Sequence, residues 1–127
     1  MDPVRIFLCD DVAELRAVIR LGLERDAGLQ VVGEAQDAQT GVDGIAELRP
    51  DVVFLDLSMP GMDGLEAIPL IRAVSPHTAI IVFSGFAATR MAAEAVAQGA
   101  DGYLEKGVPM RRLHETAYAA AAAYRAA

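Results

Sequence analysis

Five polar side chains in this sequence are of the types that together could move a phosphoryl group: Asp10, Asp11, Asp56, Ser84 and Lys106. Crowded carboxylates repel one another, and a divalent cation relieves that repulsion. A ligand set made only of oxygen, with no His or Cys, selects Mg2+, Mn2+ or Ca2+ over Zn2+. A small Mg2+ held by two carboxylates keeps positions open for water and phosphoryl oxygens. A neighbouring carboxylate can then act as nucleophile and form an acyl phosphate. A lysine ammonium would neutralise the moving group, while a hydroxyl and nearby backbone N–H groups donate hydrogen bonds to it. Each residue taken alone has a plainer explanation. An Asp-Asp pair after a strand is a helix N-cap with a dipole-compensating neighbour. Asp56 can simply end a strand, Ser84-Gly85 can be an ordinary turn, and Lys106 can be a solvated surface lysine. The chemistry exists only if the fold gathers all five on one rim.

The elements between them predict that it does. Short apolar runs rich in β-branched residues occur at Val4–Leu8, Leu29–Val32, Val52–Leu55, Ile80–Phe83 and, more weakly, Gly102–Leu104. Continuous apolarity over four or five residues marks strands buried on both faces. Between them lie segments of helical periodicity: Val12, Leu15, Ile19 and Leu23; Val42, Ile45 and Ala46; Leu65, Ile68 and Ile71; Met91, Ala95 and Gly99; Leu113, Ala117, Ala120 and Tyr124. Five strands alternating with five helices give an α/β fold with a parallel sheet and helices on both faces. Pro109 suits the first turn of the last helix, and Gly99 sits where a helix stops. Pro69 falls about one turn inside the third helix, so a kink or a late helix start is expected there. In open parallel sheets, ligands bind beyond the carboxyl ends of the strands. Those ends are Asp10-Asp11, Asp56, Ser84-Gly85 and Glu105-Lys106.

Composition narrows the function classes. A chain of 127 residues fits one domain, which buries roughly two thirds of the surface its unfolded chain exposes. Apolar residues make up 54%, too many for a disordered chain. A net charge of −7 argues against direct nucleic-acid binding, and a DNA function would need a second domain for which 1–127 has no room. No apolar run is long enough to span a membrane, and no cleavable apolar leader is visible. The single cysteine, Cys9, has no internal disulfide partner, so a cytoplasmic location is expected.

Four pieces of sequence carry a family likeness: Cys9-Asp10-Asp11, the run Asp56-Leu57-Ser58-Met59-Pro60-Gly61-Met62-Asp63-Gly64, Ser84-Gly85, and Gly102-Tyr103-Leu104-Glu105-Lys106. In this order they resemble the receiver domain of two-component response regulators, over essentially the whole chain. The run Val31-Val32-Gly33-Glu34-Ala35 is similar to receivers that precede a LuxR/NarL-type helix-turn-helix output domain. The resemblance implies a flavodoxin-like, doubly wound, three-layer αβα fold with strand order 2-1-3-4-5 and five helices. It implies a phosphorylation-controlled signalling switch, not an enzyme apart from self-catalysed phosphotransfer and autodephosphorylation at Asp56. Asp56 would accept the phosphoryl group from a histidine kinase. Mg2+ would be held directly by Asp11, Asp56 and the backbone carbonyl of Ser58, and by Asp10 largely through water. Lys106, Ser84, Leu57 and Gly85 would contact the phosphoryl group, and Ser84 with Tyr103 would form the switch. The face made by the fourth helix, fifth strand and fifth helix would carry the signal. That face, or the first and fifth helices, would serve a homodimer, and a DNA-binding output domain would lie outside this chain.

Gly107 and Pro69 depart from the family's commonest pattern. Gly107 follows Lys106 where many receivers have a cis proline, so either a trans peptide or a more mobile loop is expected, with the geometry of this peptide left open. Ser58 and Phe86 occupy the two positions tied to acyl-phosphate lifetime, and Phe86 cannot orient an attacking water, so self-dephosphorylation should be slow to moderate. His77 and His114 are read as solvated, and Met59 and Met62 as packing groups. Two other functions compete. One is a Mg2+-dependent aspartyl-phosphate phosphatase or phosphotransferase, which needs a second acid two residues after its nucleophile, where this chain has Ser58. The other is a binding module that works without phosphorylation.

Overall fold

The computed structural model describes residues 2–125. Five strands and five helices alternate along the chain: β1 (Val4–Cys9), α1 (Ala13–Glu24), β2 (Leu29–Ala35), α2 (Ala38–Leu48), β3 (Val52–Leu55), α3 (Gly64–Val74), β4 (Ala79–Ser84), α4 (Ala88–Gln98), β5 (Gly102–Glu105) and α5 (Met110–Arg125). All strand pairings are parallel, in the order β2-β1-β3-β4-β5.

Alternation along the strands divides the core into two layers. Phe7, Cys9, Val53, Leu55, Ile80 and Val82 point to one face, where Val42 and Ile45 of α2, Ala67, Ile68 and Ile71 of α3, and Ala95 of α4 cover them. Ile6, Leu8, Val52, Phe54, Ile81 and Phe83 point to the other, under Ile19 and Leu23 of α1 and Leu113, Ala117 and Ala121 of α5. Every residue of β3 and β4 is buried. Burial on both faces is why these strands read as unbroken apolar runs instead of alternating ones.

Local chemistry sets the helix ends. The Asp37 side chain caps α2 by accepting from Thr40 N–H at 2.8 Å, and Asp63 caps α3 by accepting from Leu65 N–H at 2.9 Å. Gly99 ends α4 with φ +116°. Pro109 stands one residue before α5, and its carbonyl accepts from Arg112 N–H. The expected late start of α3 does not occur: the helix runs unbroken from Gly64 across Pro69. Ile68 and Ile71 are fully buried and anchor the helix, whereas Pro69 is exposed, so the missing donor lies on the side open to water.

Gly64 is a fixed point of the whole arrangement. A Cβ there would stand 2.6 Å from the Leu57 Cα and 2.8 Å from the Asp56 carbonyl oxygen. Both are backbone atoms that cannot swing aside. Alanine at a helix start would gain at most about 1 kcal/mol from propensity, while overpacking costs about 1–3 kcal/mol. Gly64→Ala is therefore expected to destabilise the fold by about 1–2 kcal/mol in thermal denaturation followed by circular dichroism, with the loop after Asp56 displaced.

Candidate functional site

The strand order brings the carboxyl ends of β1, β3, β4 and β5 to one edge of the sheet. The Asp10 N–H continues the sheet by donating to Ala35 O at 3.0 Å, and the Asp56 N–H donates to Cys9 O at 2.9 Å. Both acids are therefore held by strand geometry one residue beyond their strands. One carboxylate oxygen from each of Asp10, Asp11 and Asp56 lies within 4.8 Å of the other two. Asp10 and Asp56 are buried, at 5% and 3% exposure, and Asp11 is open to solvent.

Lys106 reaches this cluster from the end of β5. Its backbone N–H donates to Ser84 O at 2.7 Å, which fixes where the side chain begins. Its Nζ lies 2.7 Å from Asp10 Oδ2 and 3.3 Å from Asp56 Oδ2, bridging the two buried carboxylates. The Lys106–Gly107 peptide, left open by the sequence, is trans, and Gly107 takes φ +104°. Burial alone would pull the Lys106 ammonium down, but the contact with Asp10 and the charge of Asp56 outweigh it and hold its pKa above the ordinary lysine value.

Asp56 is pushed the other way. Burial raises its pKa above the usual carboxylate value, against the pull of the Ser58 N–H at 3.1 Å and of Lys106, while the Asp10 charge adds to the rise. Three carboxylates face one ammonium, so the site keeps an excess of negative charge. Donors of oxygen alone, close together and open on the Asp11 side, fit a hard divalent cation such as Mg2+. The plainer helix-cap explanation does not hold for Asp10: Val12 is the N-cap residue of α1, and Asp10 Oδ1 accepts from its N–H at 2.9 Å in a turn ahead of the helix. One oxygen holds that turn and the other faces Lys106.

The sequence matches the response regulator receiver domain family over residues 6–118. The chain belongs to that family. This receiver domain is 36% identical over 120 residues to the nitrate/nitrite response regulator protein NarL of Escherichia coli, across 91% of this chain and 56% of that protein. It thus spans about half the length of that curated relative. It is 34% identical over 111 residues to the chemotaxis protein CheY of Thermotoga maritima, across 87% of this chain and 92% of that one. In structure it is similar to a LuxR-family two-component response regulator from Aurantimonas sp., with a TM-score of 0.90 at 34% identity, covering 96% of this chain and 87% of the other. The expected flavodoxin-like fold and strand order 2-1-3-4-5 are those observed.

Around the acidic cluster of this receiver, Ser84 and Gly85 end β4, Leu57 and Ser58 follow Asp56, and Tyr103 lies in β5. The Ser84 Oγ accepts from Phe86 N–H at 3.1 Å, and the half-buried Tyr103 donates its hydroxyl to Phe86 O at 2.8 Å. The two side chains therefore hold the same residue from its two ends. Met59 is buried and Met62 packs against the core, as packing groups should. His77 is exposed, but the solvated reading of His114 needs correction: its Nε2 lies 2.8 Å from Gly22 O and ties α5 to α1.

Sequence reasoning missed Arg16. Its side chain is 15% exposed, and it bonds the Asp10 carbonyl through Nη1 and Glu34 Oε1 through Nε at 3.2 Å. The available signal was its spacing, four residues after Val12 and three before Ile19, which puts a cation on the inward stripe of α1.

Proposed function

We propose that this receiver domain is a phosphorylation-controlled switch that accepts a phosphoryl group on Asp56 from the phosphohistidine of a sensor histidine kinase. The observation that carries the reading is Lys106 Nζ lodged between Asp10 Oδ2 and Asp56 Oδ2, beside a third carboxylate. An Asp56 carboxylate oxygen attacks phosphorus, the P–N bond breaks, and its electron pair stays on the imidazole nitrogen. Asp10, Asp11, Asp56 and the Ser58 backbone carbonyl would hold Mg2+, which when bound neutralises charge on the transferring group. Lys106 turns its ammonium to a phosphoryl oxygen, and Ser84, with Leu57 and Gly85 at the same rim, supplies further phosphoryl contacts.

The response follows from the shared residue. A Ser84 hydroxyl that turns to the phosphoryl group gives up the Phe86 N–H, and the Phe86 carbonyl is what holds the Tyr103 hydroxyl. Tyr103 then turns inward, and the α4–β5–α5 face changes. A few kcal/mol of difference between two conformers suffices to exchange their populations. On this reading residues 1–127 form one receiver domain that works in the cytoplasm. It controls a partner, a second copy through α4–β5–α5 or α1–α5, or an attached DNA-binding output domain that regulates transcription, for which a relative such as NarL, covered to 56% by this chain, has further length. The domain itself touches neither nucleic acid nor membrane. No helix among the described residues is long and apolar enough to cross a membrane.

Incubation with acetyl phosphate and Mg2+, read by intact mass, tests this. The expected result is a gain of one phosphoryl group on Asp56, decaying over minutes or longer because the exposed Phe86 ring, stacked under Arg90 at 5.8 Å, offers water no hydrogen bond. Decay within seconds would contradict the assigned part of Phe86. Continuous substrate turnover would mark a phosphatase or phosphotransferase instead. An unchanged mass would mark a phosphorylation-independent binding module.

A further inference from the structure

The Asp10–Asp11 peptide joins two of the three acids, so its orientation decides where both carboxylates point. One end of it is the Asp10 carbonyl, which accepts from Arg16 Nη1. Arg16 is itself held, since its Nε contacts Glu34 Oε1 at 3.2 Å. Glu34 is held in turn by Arg20 Nη1 on its other oxygen at 2.7 Å, and Arg20 also meets Glu24 at 3.2 Å. Glu34 stands near the end of β2, the strand beside β1. The chain of contacts thus runs from β2 through α1 to the backbone of the acidic rim.

We propose that Arg16, locked by Glu34, is a positioning residue that fixes the Asp10–Asp11 peptide in the orientation needed to bind a divalent cation. This rests on the reading of the acidic cluster as a Mg2+ site. The geometry of the arginine matters more than its charge. A guanidinium offers Nε and Nη1 in one rigid plane, so it can bridge a carboxylate and a carbonyl at fixed separation. A lysine has a single nitrogen on a flexible stem and cannot hold both partners in that register. Its charge would work against the metal, because a cation beside the cluster repels a second one. Any gain in metal affinity due to Arg16 is therefore positional.

The Asp10 carboxylate and amide are anchored without Arg16, by Val12, Lys106 and Ala35. What Arg16 alone adds is the carbonyl, and with it the rotation of the peptide that leads to Asp11. Asp11 is exposed, and among the described residues no hydrogen bond or ion pair anchors its side chain. Loss of Arg16 should therefore loosen Asp11 while leaving Asp10 and Asp56 in place.

The test is a Mg2+ titration of the intact chain, followed by amide chemical shifts of Asp11, Ser58 and Gly85, with no phosphodonor present. The wild type should saturate, and its failure to bind would overturn the metal reading and this proposal together. Given wild-type binding, Arg16→Lys is expected to weaken Mg2+ about tenfold, the usual scale for loss of a partner that orients a ligand. Glu34→Gln keeps Arg16 but frees it, and should weaken Mg2+ by a smaller factor. Glu24→Gln acts at the outer end of the network, where Glu24 also accepts from Val31 N–H and an amide oxygen can still accept, and should leave the affinity unchanged. Folding is followed in parallel by thermal denaturation. Folded Arg16→Lys with wild-type affinity would overturn the positional role. Should that variant fail to fold, Glu34→Gln decides: unchanged affinity in a folded protein rejects the proposal.

Discussion

Asp56→Asn is expected to reduce phosphoryl incorporation from acetyl phosphate by roughly a thousandfold or more, because it removes the nucleophilic oxygen that the proposed reaction needs. The same substitution should raise the thermal midpoint at neutral pH in the absence of Mg2+. Asp56 is 3% exposed, and burial holds its pKa above the ordinary carboxylate value. The folded state therefore binds a proton there more readily than the unfolded state does. Stability from this group is greatest when it is protonated, at acid pH, and falls as pH rises from the unfolded pKa through the higher folded one. An uncharged amide escapes that fall. The gain of Asp56→Asn over wild type should thus be full at neutral pH and shrink as pH drops into the ordinary carboxylate range. Added Mg2+ should narrow the gap, since a ligand stabilises only the state that binds it and the wild type binds it better. A variant less stable than wild type at neutral pH without Mg2+ would show that the Lys106 contact outweighs burial at this carboxylate.

The parts of the fold that could be read directly from the sequence are those where burial leaves no choice of residue. Val52–Leu55 and Ile80–Phe83 sit in the middle of the sheet and are covered on both sides, so their apolar runs are unambiguous. β2 runs three residues beyond the expected Val32, through Gly33, Glu34 and Ala35. Neither glycine nor glutamate favours a strand, and Glu34 is there because Arg16 and Arg20 meet it from α1. Val12 matched the apolar spacing of α1 yet is 44% exposed, because it is the residue that precedes the helix instead of one inside it. Ala121, not Ala120, is the fully buried member of the α5 stripe, a one-residue difference in a run of alanines whose identity carries no phase. At the site, the charged side chains were legible because strand ends collect them in a known order. The Phe86 backbone was not, since a residue whose N–H and carbonyl each serve another residue's side chain has no signature in residue type. Arg16 was hidden for a similar reason: its main partner is a carbonyl.

Lys106→Met separates two quantities that a simple loss of structure would lower together. Phosphoryl incorporation should fall by about 10²–10³-fold, the usual consequence of removing one group aimed at developing charge. Mg2+ affinity should rise several-fold, because Lys106 is a cation that competes for the same carboxylates at 2.7 and 3.3 Å. Stability without Mg2+ should drop, since Asp10 and Asp56 remain buried with no counter-charge. Breaking a fully buried pair costs about 3–5 kcal/mol. The Lys106 side chain keeps 23% exposure, so about 1–3 kcal/mol is the fitting expectation here. Its pKa lies above the ordinary lysine value, so its contribution is complete below that value and disappears as pH climbs through the folded one. The methionine variant should lack that alkaline loss. Isothermal titration with Mg2+ and intact mass after acetyl phosphate read the two opposed effects on one protein. A variant in which affinity and incorporation fall together would mean that Lys106 organises the acids instead of competing for them, and that the ammonium and the cation are partners in one site and not rivals.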